Sequence, residues 1–224
     1  MERYFDKELA ELNKETLSMA RLTEEAIGKS IEALKELSRK KAQQVIDQDS
    51  RINKLELIID EKCLDLIALF QPMAIDLRFI AMSMKIGTDL ERIADLAVDI
   101  SERVLEIADK PQLKPLIDIP KLAKLAQSMV KDAIDAFINH DPELAKKVIV
   151  RDDKADALRN LVQSELINDY LMKDPSTAPR AVALILVARH LERICDHATN
   201  IAEDVIYMVK AKVVKHRPRS LEEA

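Results

Sequence analysis

The sequence has two glycines, no tryptophan and only 3% aromatic residues in a chain of 224 residues. Residues that form turns or favour strands are therefore scarce, whereas alanine, leucine, isoleucine, lysine and glutamate are abundant. This composition is typical of an all-helical protein, and 48% hydrophobic residues are enough to fill a packed core. We expect no β-sheet.

The sequence also lacks a long apolar run and an excess of positive charge. Its longest uncharged apolar run, residues 181–188, is far too short to span a bilayer, and residues 1–7 are rich in charge. The net charge of −5 gives no overall basic field for a polyanion, so nucleic acid is not an expected partner. These features predict a soluble, cytoplasmic protein.

Cysteine is rare, because the sequence contains only two. Cys63 and Cys195 both lie inside apolar helical patterns, so we expect two small buried side chains rather than a disulfide. The sequence also has no glycine-rich phosphate-binding loop and no recognisable nucleophile–base set. We therefore expect that the protein is not an enzyme.

Apolar periodicity and prolines together divide the chain into predicted helices. Small or apolar residues recur at alternating spacings of four and three from Phe5 to Leu37, which predicts a long helix over residues 3–37. Ser38 can cap a second helix, and Pro72 ends that helix because proline disfavours helical backbone in the residue before it. A third apolar stripe follows, so the first half is expected to be a three-helix unit.

The second half repeats this layout after a cluster of prolines at positions 111, 115 and 120. Asp141–Pro142, a helix cap followed by proline, falls where Ser38–Arg39 falls 103 positions earlier. The predicted fold is all-α, with six long helices in two tandem three-helix bundles related by a pseudo-twofold internal repeat. The predicted boundaries are a first repeat over residues 1–110, a linker over 111–119, a second repeat over 120–215 and a frayed basic tail over 216–224.

One motif occurs in both halves. Leu90–Ile100 reads LERIADLAVDI, and Leu191–Ile201 reads LERICDHATNI. Acidic or amide residues recur every four positions in each copy, so on a helix they form a stripe along one face. Stacked like charges at this spacing are mildly destabilising unless a positive charge meets them. Each stripe therefore predicts a bound cation or a basic partner.

The stripes are expected to face matching side chains on the preceding helix. Residues at equal distance from a hairpin turn lie at the same height on antiparallel helices. Counting outward from Pro72 places Asp49 opposite Asp95 and Asn53 opposite Glu91, and the second half repeats this level. The candidate metal ligands are Asp49, Asn53, Glu91, Asp95 and Asp99 in the first half, and Asp152, Asp156, Glu192, Asp196 and Asn200 in the second.

Three interpretations of the stripes remain open. A solvated, salt-bridged surface is one, because Arg92 and Arg193 adjoin the acids. A metal site is another, because oxygen ligands on facing helices suit hard cations such as Mg²⁺, Ca²⁺, Mn²⁺ or iron. Catalysis by paired carboxylates is the third, although no other catalytic group supports it. His190 and His197 beside the second stripe are either structural residues or supplementary ligands.

The chain resembles the PhoU family of phosphate-uptake regulators over nearly its whole length. The resemblance rests on the doubled Glu-x-x-x-Asp motif, Glu91–Asp95 and Glu192–Asp196, and on Asp76-Leu77-Arg78 after Pro72. It implies a cytoplasmic accessory protein of the phosphate-specific transport system that represses the phosphate-starvation response. It also implies two partners, the ATPase of an ABC phosphate transporter and a sensor histidine kinase, through which alone the protein would reach the membrane.

The resemblance further implies multinuclear clusters of divalent or trivalent metal ions, namely Fe, Mn, Zn or Mg. The motif residues carried over as ligands are Glu91, Asp95, Glu192 and Asp196. Asn200 stands where the first half has Asp99, and Arg159 stands where it has Glu56. We therefore expect the second site to hold fewer ions or to bind them less tightly.

A different class of function stays open, namely a metal-storing or scaffolding helical bundle without a role in phosphate signalling. Storage predicts many ions in a closed shell, whereas a regulator predicts few ions and a large exposed protein-binding face. We also expect a homodimer, because apolar residues beside the acids are predicted to leave surface to cover. These residues are Leu90, Ala94, Ala97 and Val98.

Overall fold

The computed structural model describes residues 4–215, and these are helical apart from short turns and one linker. The α-helices are α1 (Tyr4–Glu36), α2 (Arg39–Phe70), α3 (Ala74–Ile107), α4 (Asp118–Asn139), α5 (Pro142–Ile149), α6 (Asp152–Glu165) and α7 (Ala178–Lys210). No strand occurs among residues 4–215, and α5 and α6 together occupy the place of one long helix. The predicted all-α fold of two tandem three-helix units is confirmed.

The turns between helices are built without glycine. Both glycines lie inside helices, Gly28 in α1 and Gly87 in α3. Left-handed backbone is instead adopted by Leu37, Gln71 and His140, with φ of 49°, 48° and 52°. Gln71 closes α2 by donating its backbone N–H to the Ile67 carbonyl at 3.1 Å, one residue before Pro72. The predicted turn at Pro72 is confirmed.

The middle helix of the second unit is interrupted, which the apolar pattern did not predict. Helix α5 begins after Asp141, whose carboxylate accepts two backbone N–H bonds, and it stops at the β-branched run 148–150. Arg151 follows, and its guanidinium Nη2 lies 2.6 Å from Asp132 Oδ2 on α4. Helix α6 then resumes and ends in a π-helical turn, Leu166–Leu171. The ion pair holds the break against the neighbouring helix.

The two units pack through their third helices, α3 and α7, which run antiparallel. Ile93 and Ile100 of α3 and Ile194 and Ile201 of α7 have no exposed surface. Burying one such side chain stabilises a fold by about 1.5–3 kcal/mol. The buried residues of both units form one continuous core, so the units are joined and not merely tethered.

The cysteines are free and fully buried, as predicted. Burial raises the pKa of the Cys63 thiol to about 12 and also raises the pKa of Cys195. Both thiols are therefore protonated and unreactive near neutral pH. Separately, no helix within residues 4–215 combines the length and apolar character needed to cross a bilayer.

The segment between the units packs against the second unit. Lys114 is only 6% exposed and forms an ion pair with Glu165 of α6. Arg180 of α7 donates to the Pro111 carbonyl at 3.2 Å. Helix α4 begins at Asp118, so Pro120 lies in its first turn, where proline is tolerated. The predicted tail, residues 216–224, lies outside the described residues.

The first unit contains the same ion pair with its charges exchanged. Lys62 of α2 lies 3.0 Å from Glu11 of α1. Glu11 and Lys62 stand 103 positions before Lys114 and Glu165 respectively. The segment before α4 therefore takes the place that the first turns of α1 hold in the first unit.

Replacing Lys114 by alanine should loosen this segment. Glu165 would keep a partly buried carboxylate without its partner, which should lower the free energy of unfolding by about 1–3 kcal/mol. Thermolysin should also cut residues 111–117 sooner. Denaturant titration and timed proteolysis measure the two effects.

The matched control is Arg39→Ala, which removes an exposed ion pair with Asp109. Exposed pairs contribute about 0–1 kcal/mol, so this variant should stay close to wild type. Equal behaviour of the two variants would show that Lys114 does not anchor the segment.

Candidate metal centre

The acidic stripes lie at the edges of the α3–α7 contact because the apolar residues of the same motif occupy its centre. Leu90 and Ile93 of the first copy are fully buried, as are Leu191 and Ile194 of the second. An α-helix turns by about 100° per residue, so Glu91 projects to the flank of α3 that faces α2. The Glu91 and Glu192 side chains are each 16% exposed, so the two flanks are equally enclosed.

In the first unit, α2 presents Asp49 and Asn53 to this flank. Asn53 Nδ2 donates to Asp49 Oδ2 at 2.8 Å. The other side-chain oxygen of each residue, Asp49 Oδ1 and Asn53 Oδ1, is buried and has no hydrogen-bond partner. Buried oxygen acceptors without a donor are costly, and a cation is one group that satisfies them.

The carboxylates of this first stripe repel one another. Burial is the main cause that raises the pKa of Glu91, followed by the charge of Asp95. Burial likewise raises the pKa of Asp95, followed by the charge of Asp49 across the helix pair. The mostly exposed Arg92 partly offsets both shifts, since its Nη1 lies 3.5 Å from Asp95 Oδ2. The structure thus brings α2 and α3 acids within electrostatic reach of each other.

The second stripe is more crowded. Burial, followed by the charges of Glu192, Asp152 and Asp156, raises the pKa of Asp196 to about 6. Burial also raises the pKa of Asp152, and Asp156 adds to that shift. Asp152 is the first residue of α6, directly after the helix break, and Thr199 Oγ1 lies 3.4 Å from its Oδ1. Sequence reasoning missed this threonine contact.

An arginine neutralises part of the negative charge in the second unit. Arg159 Nη2 lies 3.1 Å from both Asp156 Oδ1 and Glu192 Oε1. The equivalent position in the first unit is Glu56, whose charge instead raises the pKa of Glu91 further. The exchange is visible in the sequence, but the two salt bridges it creates are not.

The outermost predicted ligands face the contact between the units. Asp99 Oδ2 lies 3.6 Å from His190 Nδ1. Asn200 Nδ2 lies 3.5 Å from Asp89 Oδ1, and the same oxygen is 2.8 Å from His197 Nδ1. His197 therefore joins α7 to α3 by a hydrogen bond, whereas His190 Nδ1 has no hydrogen-bond partner among residues 4–215. Asn200 turns toward the first unit. Asp89, at the position equivalent to His190, was missed by sequence reasoning.

The chemistry of the donors fits a hard cation better in the first unit than in the second. The first stripe offers carboxylate and amide oxygens with two unsatisfied acceptors, whereas Arg159 already binds two acids of the second stripe. In the side-chain conformations described for residues 4–215, no three His, Cys, Asp or Glu residues form a group able to hold a metal ion. Metal binding at either stripe would therefore require side-chain rotation.

Known proteins are similar to this chain in both sequence and fold. The family model of the PhoU domain matches residues 16–104 and again residues 119–205. A "phosphate-specific transport system accessory protein PhoU homolog" from Aquifex aeolicus is 44% identical over 94% of this chain and 95% of its own length. A homolog of the same name from Pseudomonas putida is 37% identical over 95% of this chain and 83% of its own length.

Solved structures agree with the sequence matches. The crystal structure of PhoU from Pseudomonas aeruginosa has a TM-score of 0.89 and 36% identity, covering 93% of this chain and 100% of that one. The PhoU structure from Streptococcus pneumoniae has a TM-score of 0.88 and 31% identity, covering 94% of this chain and 99% of that one.

The pKa of Asp196 predicts a pH-dependent effect of Asp196→Asn. The carboxyl binds its proton more tightly in the folded chain, with a pKa of about 6, than at its ordinary value of 3.8. The free energy of unfolding therefore falls as pH rises from 3.8 to about 6, and the asparagine amide of the variant avoids that loss because it does not titrate. In EDTA, the melting temperature of the Asp196→Asn variant should exceed that of the wild type by more at pH 7.5 than at pH 5. An equal gain at both pH values would contradict the crowded-carboxylate account.

Proposed function

The chain belongs to the PhoU family, and from that premise we propose that it is an accessory protein of phosphate transport that restrains phosphate uptake. The observation that carries the proposal is the double PhoU match, one in each three-helix unit. Relatives named as accessory proteins of the phosphate-specific transport system support it, because the match covers 95% and 83% of their lengths.

The proposed mode of action is binding without catalysis. We infer that the protein contacts the ATPase of the phosphate ABC transporter at the cytoplasmic side of the membrane. It also contacts a sensor histidine kinase and so represses the phosphate-starvation response. A bound partner of this kind acts by favouring one conformation of the ATPase or kinase over another.

Metal ions are part of the proposal. Asp49, Asn53, Glu91 and Asp95 would hold the ions of the first unit, and a bound ion supplies the positive charge that the crowded carboxylates lack. In the second unit Arg159 competes with any ion for Glu192 and Asp156. We therefore propose tighter binding in the first unit.

We also propose that the chain forms a homodimer, although the apolar residues beside the acidic stripe do not provide the surface that the sequence analysis expected. Leu90, Ala94 and Ala97 are buried within the chain, so they offer no surface to a second copy. Exposed apolar side chains occur instead on α2, at Leu57 and Leu64. They support a homodimer. A monomer at high micromolar concentration in light scattering would contradict it.

Chelation tests the metal proposal. A ligand that binds only the folded chain adds about 2.7 kcal/mol of stability at a hundredfold excess over its Kd. EDTA should therefore lower the melting temperature of the protein, and Asp95→Asn with Asp196→Asn should abolish most of that response. Elemental analysis of the freshly purified protein gives the ions per chain.

The matched control is Asp65→Asn with Asp169→Asn, which removes two exposed acids, one in each unit. This pair should keep the full response to EDTA. If the wild type contains no stoichiometric metal and gains no stability from Fe³⁺, Mn²⁺, Zn²⁺ or Mg²⁺, the stripes are a solvated surface. That outcome would leave the regulatory proposal standing.

Capture of partners tests the regulatory proposal. The tagged chain should retain the transporter ATPase and a sensor kinase from cells grown in ample phosphate. Cells without the protein should take up phosphate faster, and restoring the chain should reverse this. Unchanged uptake, no capture of either partner and many redox-active ions per chain would favour the storage alternative instead.

A further inference from the structure

A groove of about 530 Å³ lies between α6 and α7 in the second unit, beside the acidic stripe. Arg159 and Gln163 line it from α6, and Arg189 and Arg193 line it from α7. The members of each pair stand four residues apart, so each pair projects from one face of its helix. Three guanidinium groups and one amide thus converge on one concave surface.

Two of these arginines form no ion pair with the described part of the chain. Within residues 4–215, neither Arg189 nor Arg193 has a carboxylate within ion-pair distance, and both are exposed. Like charges one turn apart on a helix are mildly destabilising. Arg159, by contrast, is bound by Glu192 and Asp156, which fixes its guanidinium at one end of the groove.

The internal repeat provides a comparison within the same chain. Positions equivalent to Arg159 and Gln163 hold Glu56 and Asp60 in the first unit. The position equivalent to Arg189 holds Thr88. Only Arg193 has a basic counterpart, Arg92. The same surface is therefore acidic in the first unit and basic in the second, although both belong to one fold.

We propose that this groove binds a phosphoryl oxyanion, either free phosphate or the phosphate groups of a small soluble molecule. Guanidinium forks bind tetrahedral oxyanions through paired N–H donors, and the Gln163 amide supplies a further donor. Glu192, which already binds Arg159, and the neighbouring Asp196 repel an anion, so the ligand lies against Arg189, Arg193 and Gln163. The volume falls within the roughly 300–1,000 Å³ typical of small-molecule sites.

This groove is basic, whereas the proposed metal centre is acidic. The proposal of an anion site does not depend on the regulatory proposal. The second unit would then carry an anion groove beside its weaker metal stripe, whereas the equivalent surface of the first unit is acidic. Anion binding should accordingly need no metal.

Calorimetry of the full-length chain in EDTA tests the proposal, with inorganic phosphate, pyrophosphate and ADP as separate probes. At least one probe should bind, and its affinity should fall as salt rises. Arg189→Thr combined with Arg193→Ala should weaken binding at least about tenfold, since each change removes charge-assisted hydrogen bonds. Both side chains are exposed, so the melting temperature should stay near that of wild type.

Two further variants make the result specific. Arg92→Ala, the equivalent change in the first unit, should leave binding unaltered, whereas Gln163→Glu should weaken it by placing a carboxylate in the groove. Phosphate binding as tightly as ADP identifies free phosphate as the ligand, and tighter ADP binding identifies a phosphorylated molecule. The proposal is overturned if no probe binds at millimolar concentration, if the probes bind only in a parallel titration without EDTA, if Arg189→Thr combined with Arg193→Ala binds like wild type, or if Arg92→Ala weakens binding equally.

Discussion

The packing of α3 against α7 determines where each charged side chain of the repeated motif can lie. Ile93 and Ile194 are buried at this contact, so Glu91 and Glu192 must leave each helix toward its outer neighbour. There they meet acids from α2 and α6 and lose much of their hydration. The core thus stabilises the fold while it concentrates negative charge at two defined places. The acidic surfaces therefore follow from the packing of the helices and need no separate framework.

The two units show that the fold requires neutralised charge at certain positions but not a particular sign. Glu11 with Lys62 and Lys114 with Glu165 are equivalent pairs of opposite polarity. Either order satisfies a largely enclosed ammonium group equally well. The same freedom operates at Glu56 and Arg159, where the exchange changes the charge of the neighbouring groove. Because either sign of charge is tolerated, the two repeats can present surfaces of opposite charge on the same fold.

Much of the architecture follows from the sequence, because prolines and apolar periodicity are local signals. Pro72 and the capping residues Ser38 and Asp141 mark helix boundaries that the structure has. The apolar pattern does not predict the break at residue 151, where Arg151 contacts Asp132 of another helix, because such a contact between helices leaves no local signal. Counting residues outward from the hairpin turn places Asp49 near Asp95, but this count does not give the side-chain rotamers. Asn200 consequently turns toward Asp89, which no count along one helix reveals.

The glycine-free turns have a mechanical consequence. Leu37, Gln71 and His140 hold left-handed backbone at a cost of about 1–2 kcal/mol each, which the surrounding packing must offset. Non-glycine residues also restrict the unfolded chain, so less entropy is lost when these turns form. Each hairpin is thereby stiff at its apex and has few alternative conformations. Two helices joined by such a turn would therefore move together as one hairpin and would not bend at the turn.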